Sequence, residues 1–205
     1  MHSAQPSVND YVHAVLAHIP RTWPDRQRIQ EDLRIHIAER VEAGNSVAAA
    51  IIAMGDPREV ARSYLSERPL RYASIGRRVA AMATDYIVLV LILLCFASVG
   101  LYIGSDSLAG LGLIIFSVIA ISIGSMLYFP IAEAVFGQTL GKRLLGLTVV
   151  TESGLAIGAR EAIIRRIPYI FNAVILLDAI FVFFGEKHQR AFDRVAGTVV
   201  VQESP

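Results

Sequence analysis

The sequence predicts an all-α membrane protein: a small soluble helical bundle, then a transmembrane helical hairpin, then a third apolar helix that is broken or re-entrant, with a short cytoplasmic β-hairpin between them. Three observations predict it. Of the 205 residues 54% are hydrophobic and the mean hydropathy is +0.52, more apolar than an ordinary soluble domain. Charge is segregated, because residues 1–78 carry 20 of the 37 charged side chains while 79–136 carry only Asp85, Asp106 and Glu133. Two apolar runs, 79–105 with one charge and 108–132 with none, each exceed the roughly 20 residues that cross a bilayer core.

The net charge of +1 leaves a nucleic-acid partner without an electrostatic footprint. The single cysteine, Cys95, excludes an internal disulfide framework. Residues 1–20 alternate polar and apolar types, without the basic start and continuous apolar core of a signal peptide. Insertion is therefore expected to rely on a later apolar segment.

Val8, Tyr11, Val12, Val15, Leu16 and Ile19 fall on the stripe of an amphipathic helix. Pro20 and Pro24 end it and open the next, on which Ile29, Leu33, Ile37 and Val41 recur every four residues. Gly44 supplies the left-handed residue at which helices commonly stop. A short apolar helix over 47–54 ends at Gly55. Asp56 then caps the next helix, with Pro57 in its first turn and Glu59 three residues past the cap. That helix runs to about Arg68 and stops before Pro69.

A tiny loop at 104–107 joins the two apolar runs into a hairpin. No Lys or Arg lies between Arg78 and Lys142, while Arg68, Arg71, Arg77 and Arg78 precede the hairpin and Lys142 and Arg143 follow it. The positive-inside rule then puts the N-terminus in the cytoplasm and Asp106 outside. The third apolar segment, 167–185, has Asp178 near its centre and Pro168 and Asn172 near its start. A simple span would place Lys187, Arg190 and Arg194 outside, against the same rule. A broken hairpin over 161–185 would return the tail to the cytoplasm, where protein or a water-filled cavity must cover its non-helical backbone. The balance favours the cytoplasmic tail. Leu147 to Val150, and Ala156 with Ile157, flank Glu152-Ser153-Gly154, which predicts a β-hairpin. Thr198 to Val201 is a third β-prone stretch, able to join them only from the same side of the membrane.

Arg78 and Asp85 are two helical turns apart on one face, about 10 Å of rise, too far to pair directly. A carboxylate at mid-membrane costs about 2.5–3.5 kcal/mol on insertion scales, so Asp85 is expected to face the protein interior. Arg77 reads as a side chain snorkelling to the headgroups. Asp178 is either a functional intramembrane acid or a carboxyl satisfied by Asn172 or backbone. Gly137 and Gly141 suit close backbone approach at the inner end of the second span. Gly141-Lys142 is not a P-loop, because Phe136 and Arg143 stand where the pattern requires Gly and Ser or Thr. His13, His18, His36 and His188 lack ligand spacing, so no metal is expected. No nucleophile arrangement is present either, so the chain is expected not to be an enzyme and to need no cofactor.

The helix around Glu31-Asp32-Leu33-Arg34-Ile35-His36-Ile37, the small-residue run Ala48 to Met54 and the turn Gly55-Asp56-Pro57-Arg58-Glu59-Val60-Ala61 resemble the HAAS signalling-domain family. Arg26, Arg28, Arg34 and Arg40 dilute the acid-rich second helix usual there. Three further stretches resemble the RDD family of membrane proteins, named for one arginine and two aspartates. They are Arg78-Val79-Ala80-Ala81-Met82-Ala83-Thr84-Asp85, then Gly137-Gln138-Thr139-Leu140-Gly141-Lys142-Arg143-Leu144-Leu145-Gly146-Leu147-Thr148-Val149-Val150, then Gln189-Arg190-Ala191-Phe192-Asp193-Arg194-Val195-Ala196-Gly197-Thr198-Val199-Val200. The resemblances imply a HAAS-like domain over 1–70 and an RDD-like transmembrane domain over 71–205. They carry the named positions to Arg78, Asp85 and Asp193. They also imply transport of ions or small ligands, cation/proton exchange included, in a multi-pass protein of the cell (inner) membrane.

Joined to the reading of the residues, this makes Asp85 and Asp178 candidate cation- or proton-binding groups, with Arg78 and Asp193 as a cytoplasmic-side gate. A tail on the cytoplasmic side predicts an Arg78–Asp193 contact, with room for a two-pronged bond, and leaves Asp85 free to titrate. The expected partners are the lipid bilayer, cations or protons, a cytoplasmic regulator and further copies in a homo-oligomer. The competing reading is a signalling or scaffolding protein whose helical domain binds that regulator.

Overall fold

A computed structural model describes residues 7–104 and 106–202, without the side chains of residues 172 and 173. The N-terminal helices are α1 (Val8–Ala17), α2 (Arg26–Glu42), α3 (Val47–Met54) and α4 (Pro57–Ser66). Their ends follow local chemistry. Ser7 and Asp10 close a capping box on α1, and the Asp56 carboxylate accepts the amides of Arg58 and Glu59 at the start of α4. The apolar stripes meet in one core built from Val12, Val15, Leu33, Ile37, Ala50 and Leu65. The Tyr11 hydroxyl donates to the Gly55 carbonyl at 3.0 Å, tying α1 to the turn before α4. One core member, Leu155, comes from far along the chain.

Helices α5 (Ile75–Ile103) and α6 (Leu108–Phe136) are 29 residues each, about 43 Å at ~1.5 Å per residue. Both are long and apolar enough to cross a membrane. They pack against each other as a hairpin, capped by Ser74 and Ser107. At the tip the backbones nearly touch, since a Cβ on Gly110 would lie 2.1 Å from the Gly104 carbonyl oxygen and 2.6 Å from that of Gly100. Of the loop expected at 104–107, Ser105 lies outside the described residues. At its other end α6 stops at Gly137 in the left-handed conformation, φ 72°.

The rest of the chain folds against that second end. It runs through α7 (Leu140–Leu144), β1 (Leu147–Thr151), α8 (Ala159–Ile164), a 3₁₀ turn (Ile167–Tyr169), α9 (Asn172–Ile180), a second 3₁₀ turn (Phe181–Phe183), α10 (Ala191–Val195) and β2 (Thr198–Gln202). Strands β1 and β2 pair antiparallel with Val149 opposite Val200. The linker after α4 lines the other edge of β2, where Tyr72 bridges Val201 and the Ala73 amide donates to Val200 at 2.9 Å.

The sheet therefore differs from the local hairpin expected over 147–157. Glu152-Ser153-Gly154 does turn the chain, with the Thr151 amide on the Leu155 carbonyl, but only Ala156 bridges back, to Val150. The reason is competition. Leu155 is buried in the helical domain, and the Ala156 amide donates to the His18 carbonyl at 2.8 Å. These bonds pull the returning chain away from β1, and β2 takes its place.

The third apolar segment is bent, not a straight span: the pieces 159–169 and 174–183 meet at 116°. With β2 beside β1, the tail ends at the same end of the hairpin as the helical domain.

Candidate functional site

Asp85, on α5, is 5% exposed and accepts two bonds from the loop that follows α6. The Thr139 hydroxyl donates at 2.6 Å and the Gly141 amide at 2.7 Å. A side chain at 141 is impossible in this arrangement, because a Cβ there would lie 2.1 Å from the Ala81 carbonyl oxygen and 3.0 Å from the Asp85 carboxyl carbon. Thr139 also caps α7. Gln138 Nε2 donates to the Thr148 hydroxyl at 2.9 Å, and that hydroxyl lies 2.9 Å from Thr22 of the helical domain. The Gly137 carbonyl takes the Val149 amide. Arg143 is exposed. Asp85 is thus not left free, contrary to what the sequence suggested. Both its oxygens latch the 137–143 segment onto α5.

Asp193, fully buried on α10, is the hub of a second cluster. Its Oδ2 accepts Arg78 Nη2 at 2.6 Å and the Arg190 amide at 3.1 Å. Its Oδ1 takes Arg165 Nη1 at 2.8 Å and Arg190 Nη2 at 3.4 Å. The expected Arg78–Asp193 contact is present, but through one nitrogen, since the other Arg78 Nη donates to the His188 carbonyl. Arg165 continues the network, with Nε on Glu133 at 3.1 Å and Nη1 on the Thr198 hydroxyl at 2.7 Å. Glu133 also pairs with Lys142. Asp178 accepts the Phe192 amide at 2.8 Å and lies 3.8 Å from Arg190. Its bond is thus to backbone, while the side chain of Asn172 lies outside the described residues.

Burial pushes the Asp193 carboxyl up, yet Arg165, Arg190 and Arg78 together push harder the other way and hold it far below its ordinary value. Burial likewise pushes the Lys142 ammonium down, Glu133 only partly restores it, and Arg165 and Arg190 oppose it, so it settles at about 8.

Between α5, α6 and α9 these charges border a cavity of about 460 Å³. Arg78, Lys142, Arg165, Arg166 and Arg190 line it with Asp85, Glu133 and Asp178. Arg166 is stacked over the rings of Phe129 and Tyr169, each 4.1 Å away. The lining also includes apolar side chains, among them Val79, Met82 and Phe183. Among the described residues no group of three or more His, Cys, Asp or Glu is placed to hold a metal ion.

The structure brings Arg78 and Asp193 together, sets Asp178 at the edge of their cluster, and gives Asp85 a separate partner in Thr139 and Gly141. Reasoning from sequence missed Glu133, Arg165 and Arg190 as members. Glu133 carried a usable signal, as the lone charge near the end of a long apolar run. Arg165 and Arg190 carried none, because basic residues beside a membrane segment ordinarily reach for headgroups.

The family model described as RDD family matches residues 72–197, and the one described as HAAS matches residues 10–63. No curated protein and no solved structure matches the chain.

Proposed function

The chain belongs to the RDD family and, with its two long apolar helices, is a membrane protein; from that premise we propose that it moves ions or small ligands across the bilayer. One observation carries the reading: a cavity of about 460 Å³ lined by both ionic and apolar side chains. A buried ionic cluster is costly to assemble in an apolar setting and marks function in membrane segments. In this proposal α5 and α6 cross the cell (inner) membrane, and the positive-inside rule sets the helical domain, the sheet and the tail in the cytoplasm. The bent segment enters and leaves on that side, and Arg78–Asp193 gates the cavity from the sheet. Near the tip α5 and α6 touch backbone to backbone, so a path to the far side runs between copies, which calls for a homo-oligomer.

Exchange of a cation for a proton would have to displace Thr139 and Gly141 from Asp85, or Phe192 from Asp178. In the proposed pathway these carboxylates therefore serve as latches that hold the walls. A second reading has its own support. The helical domain buries Leu155 in its core and bonds Ala156, so a cytoplasmic regulator that binds the domain would pull on the turn next to β1.

Purified chain in proteoliposomes tests the transport reading, with Thr139→Val as the variant that unlatches Asp85. Flux of a monovalent cation against a proton gradient, or of an organic anion, is expected to exceed that of protein-free vesicles and to fall about tenfold in the variant, the loss of one charged hydrogen bond. Flux no greater than in protein-free vesicles for every solute would leave the regulatory reading standing alone.

A further inference from the structure

The cavity at the base of the hairpin is not balanced in charge. Five cationic side chains line it, Arg78, Lys142, Arg165, Arg166 and Arg190, against three carboxylates, Asp85, Glu133 and Asp178. Asp193 behind the wall makes a fourth, so five against four leaves one positive charge over. The carboxylates are engaged: Asp85 by Thr139 and Gly141, Glu133 by Arg165 and Lys142, Asp178 by Phe192. The cations are not all engaged. Among the described residues, Arg165 Nη2, Arg166 Nε and Arg190 Nε are buried and have no acceptor. Arg165 itself is 2% exposed. A buried N–H on a charged group that finds no acceptor is expensive, and here three such groups belong to three arginines that line the cavity.

The missing partner must be an acceptor with negative charge, and its geometry is that of an oxyanion, whose several oxygens suit several guanidinium N–H groups at once. The apolar part of the lining constrains it further. Val79 and Met82 of α5 and Phe183 of the second 3₁₀ turn line the cavity and are exposed. A small inorganic anion has no use for such a wall.

We propose that the cavity binds an amphiphile, an oxyanion head of the phosphate or carboxylate type borne on an apolar chain. The head sits against Arg165, Arg166 and Arg190, and the chain leaves past Val79, Met82 and Phe183 into the lipid. This rests on the reading of the cavity as a ligand site, and it gives that ligand a chemical class.

The test uses the full chain, purified in a neutral alkyl maltoside detergent, and calorimetric titration with three probes: dodecyl phosphate, inorganic phosphate and dodecyltrimethylammonium. Dodecyl phosphate is expected to bind saturably, inorganic phosphate about tenfold or more weakly for want of a buried chain, and dodecyltrimethylammonium not at all. Arg166→Gln, which touches no ion pair in the cluster, should weaken both phosphates about tenfold. Met82→Gln should weaken dodecyl phosphate and leave inorganic phosphate unchanged. If Arg166→Gln fails to fold, the selective effect of Met82→Gln decides. Equal affinity for inorganic and dodecyl phosphate would replace the amphiphile by a free oxyanion, and equal binding of the cationic probe would overturn the proposal outright. Binding of dodecyl phosphate without flux in proteoliposomes would uphold this inference and end the transport reading; flux without such binding would do the reverse.

Discussion

Asp193 touches three guanidiniums, from α5, the α8 region and the start of α10, and that number changes what its removal does. A simple two-member pair predicts that Arg78→Ala with Asp193→Ala is milder than either change alone, because no charge is left stranded. In the cluster found here the double change still strands Arg165 and Arg190 beside each other. Arg78→Ala is therefore the mildest of the three and Asp193→Ala costs about 3–5 kcal/mol, with no recovery in the double variant. Chemical unfolding in detergent measures this, and a double variant as stable as Arg78→Ala would contradict it. The pH dependence follows from the same residue. Its folded pKa is depressed below the ordinary 3.8, so the stability it contributes is fully present above that value and is lost as pH falls below about 4. On acidification from neutrality the gap in unfolding midpoint between the wild type and Asp193→Asn should narrow below about pH 4. A gap that widens there would show that some other carboxyl governs the cluster.

At the scale of elements, helix α7 is held on α5 by one residue's lack of a side chain. Gly141→Ala forces a Cβ to within 2.1 Å of the Ala81 carbonyl oxygen, so α7 must lift and the Asp85 bonds to Thr139 and Gly141 must lengthen. A loss of about 2–3 kcal/mol is expected. Gly112→Ala is the contrast, since nothing lies within 4 Å of a Cβ there and the helix gains about 0.5–1 kcal/mol. Thermal unfolding of the two variants in one detergent should move in opposite directions. Equal losses would mean that α7 does not depend on close approach. The elements also mark how far local signals carry. The cap of α4 was legible because Asp56 bonds within its own first turn; the Ser74 and Ser107 caps of α5 and α6 act in the same local way. The partner of β1 was not. Residues 155–157 and 198–202 were both candidates to pair with 147–151, and the choice between them depends on where Leu155 is buried.

At the scale of the whole molecule, the hairpin's tip and the paired strands lie at opposite ends of α5 and α6. With the head in the cytoplasm, a cysteine at the tip should meet an impermeant thiol reagent added outside, and one in the turn after β1 should not. In a Cys95→Ser background, Asp106→Cys is expected to be modified in intact cells and Ser153→Cys only after the membrane is opened. The reverse pattern would invert the orientation and move the cavity to the outer face.

The sequence by itself determined that two long and mostly apolar helices form a hairpin, that four short helices precede them, and about where those short helices stop. It also singled out Arg78, Asp85 and Asp193, because an ionised side chain among apolar ones announces a partner even when the partner is unknown. Only the tertiary structure decided which partners they have. Asp85 bonds residues 54 and 56 positions away, Arg78 bonds one 115 away, and Arg165 joins residues from both sides of itself. Periodicity and capping act over a few residues and can be read in line. A buried charge chooses its partner by desolvation and geometry among every group the fold delivers to it, and that set exists only once the 116° bend has carried the tail back to the foot of α5.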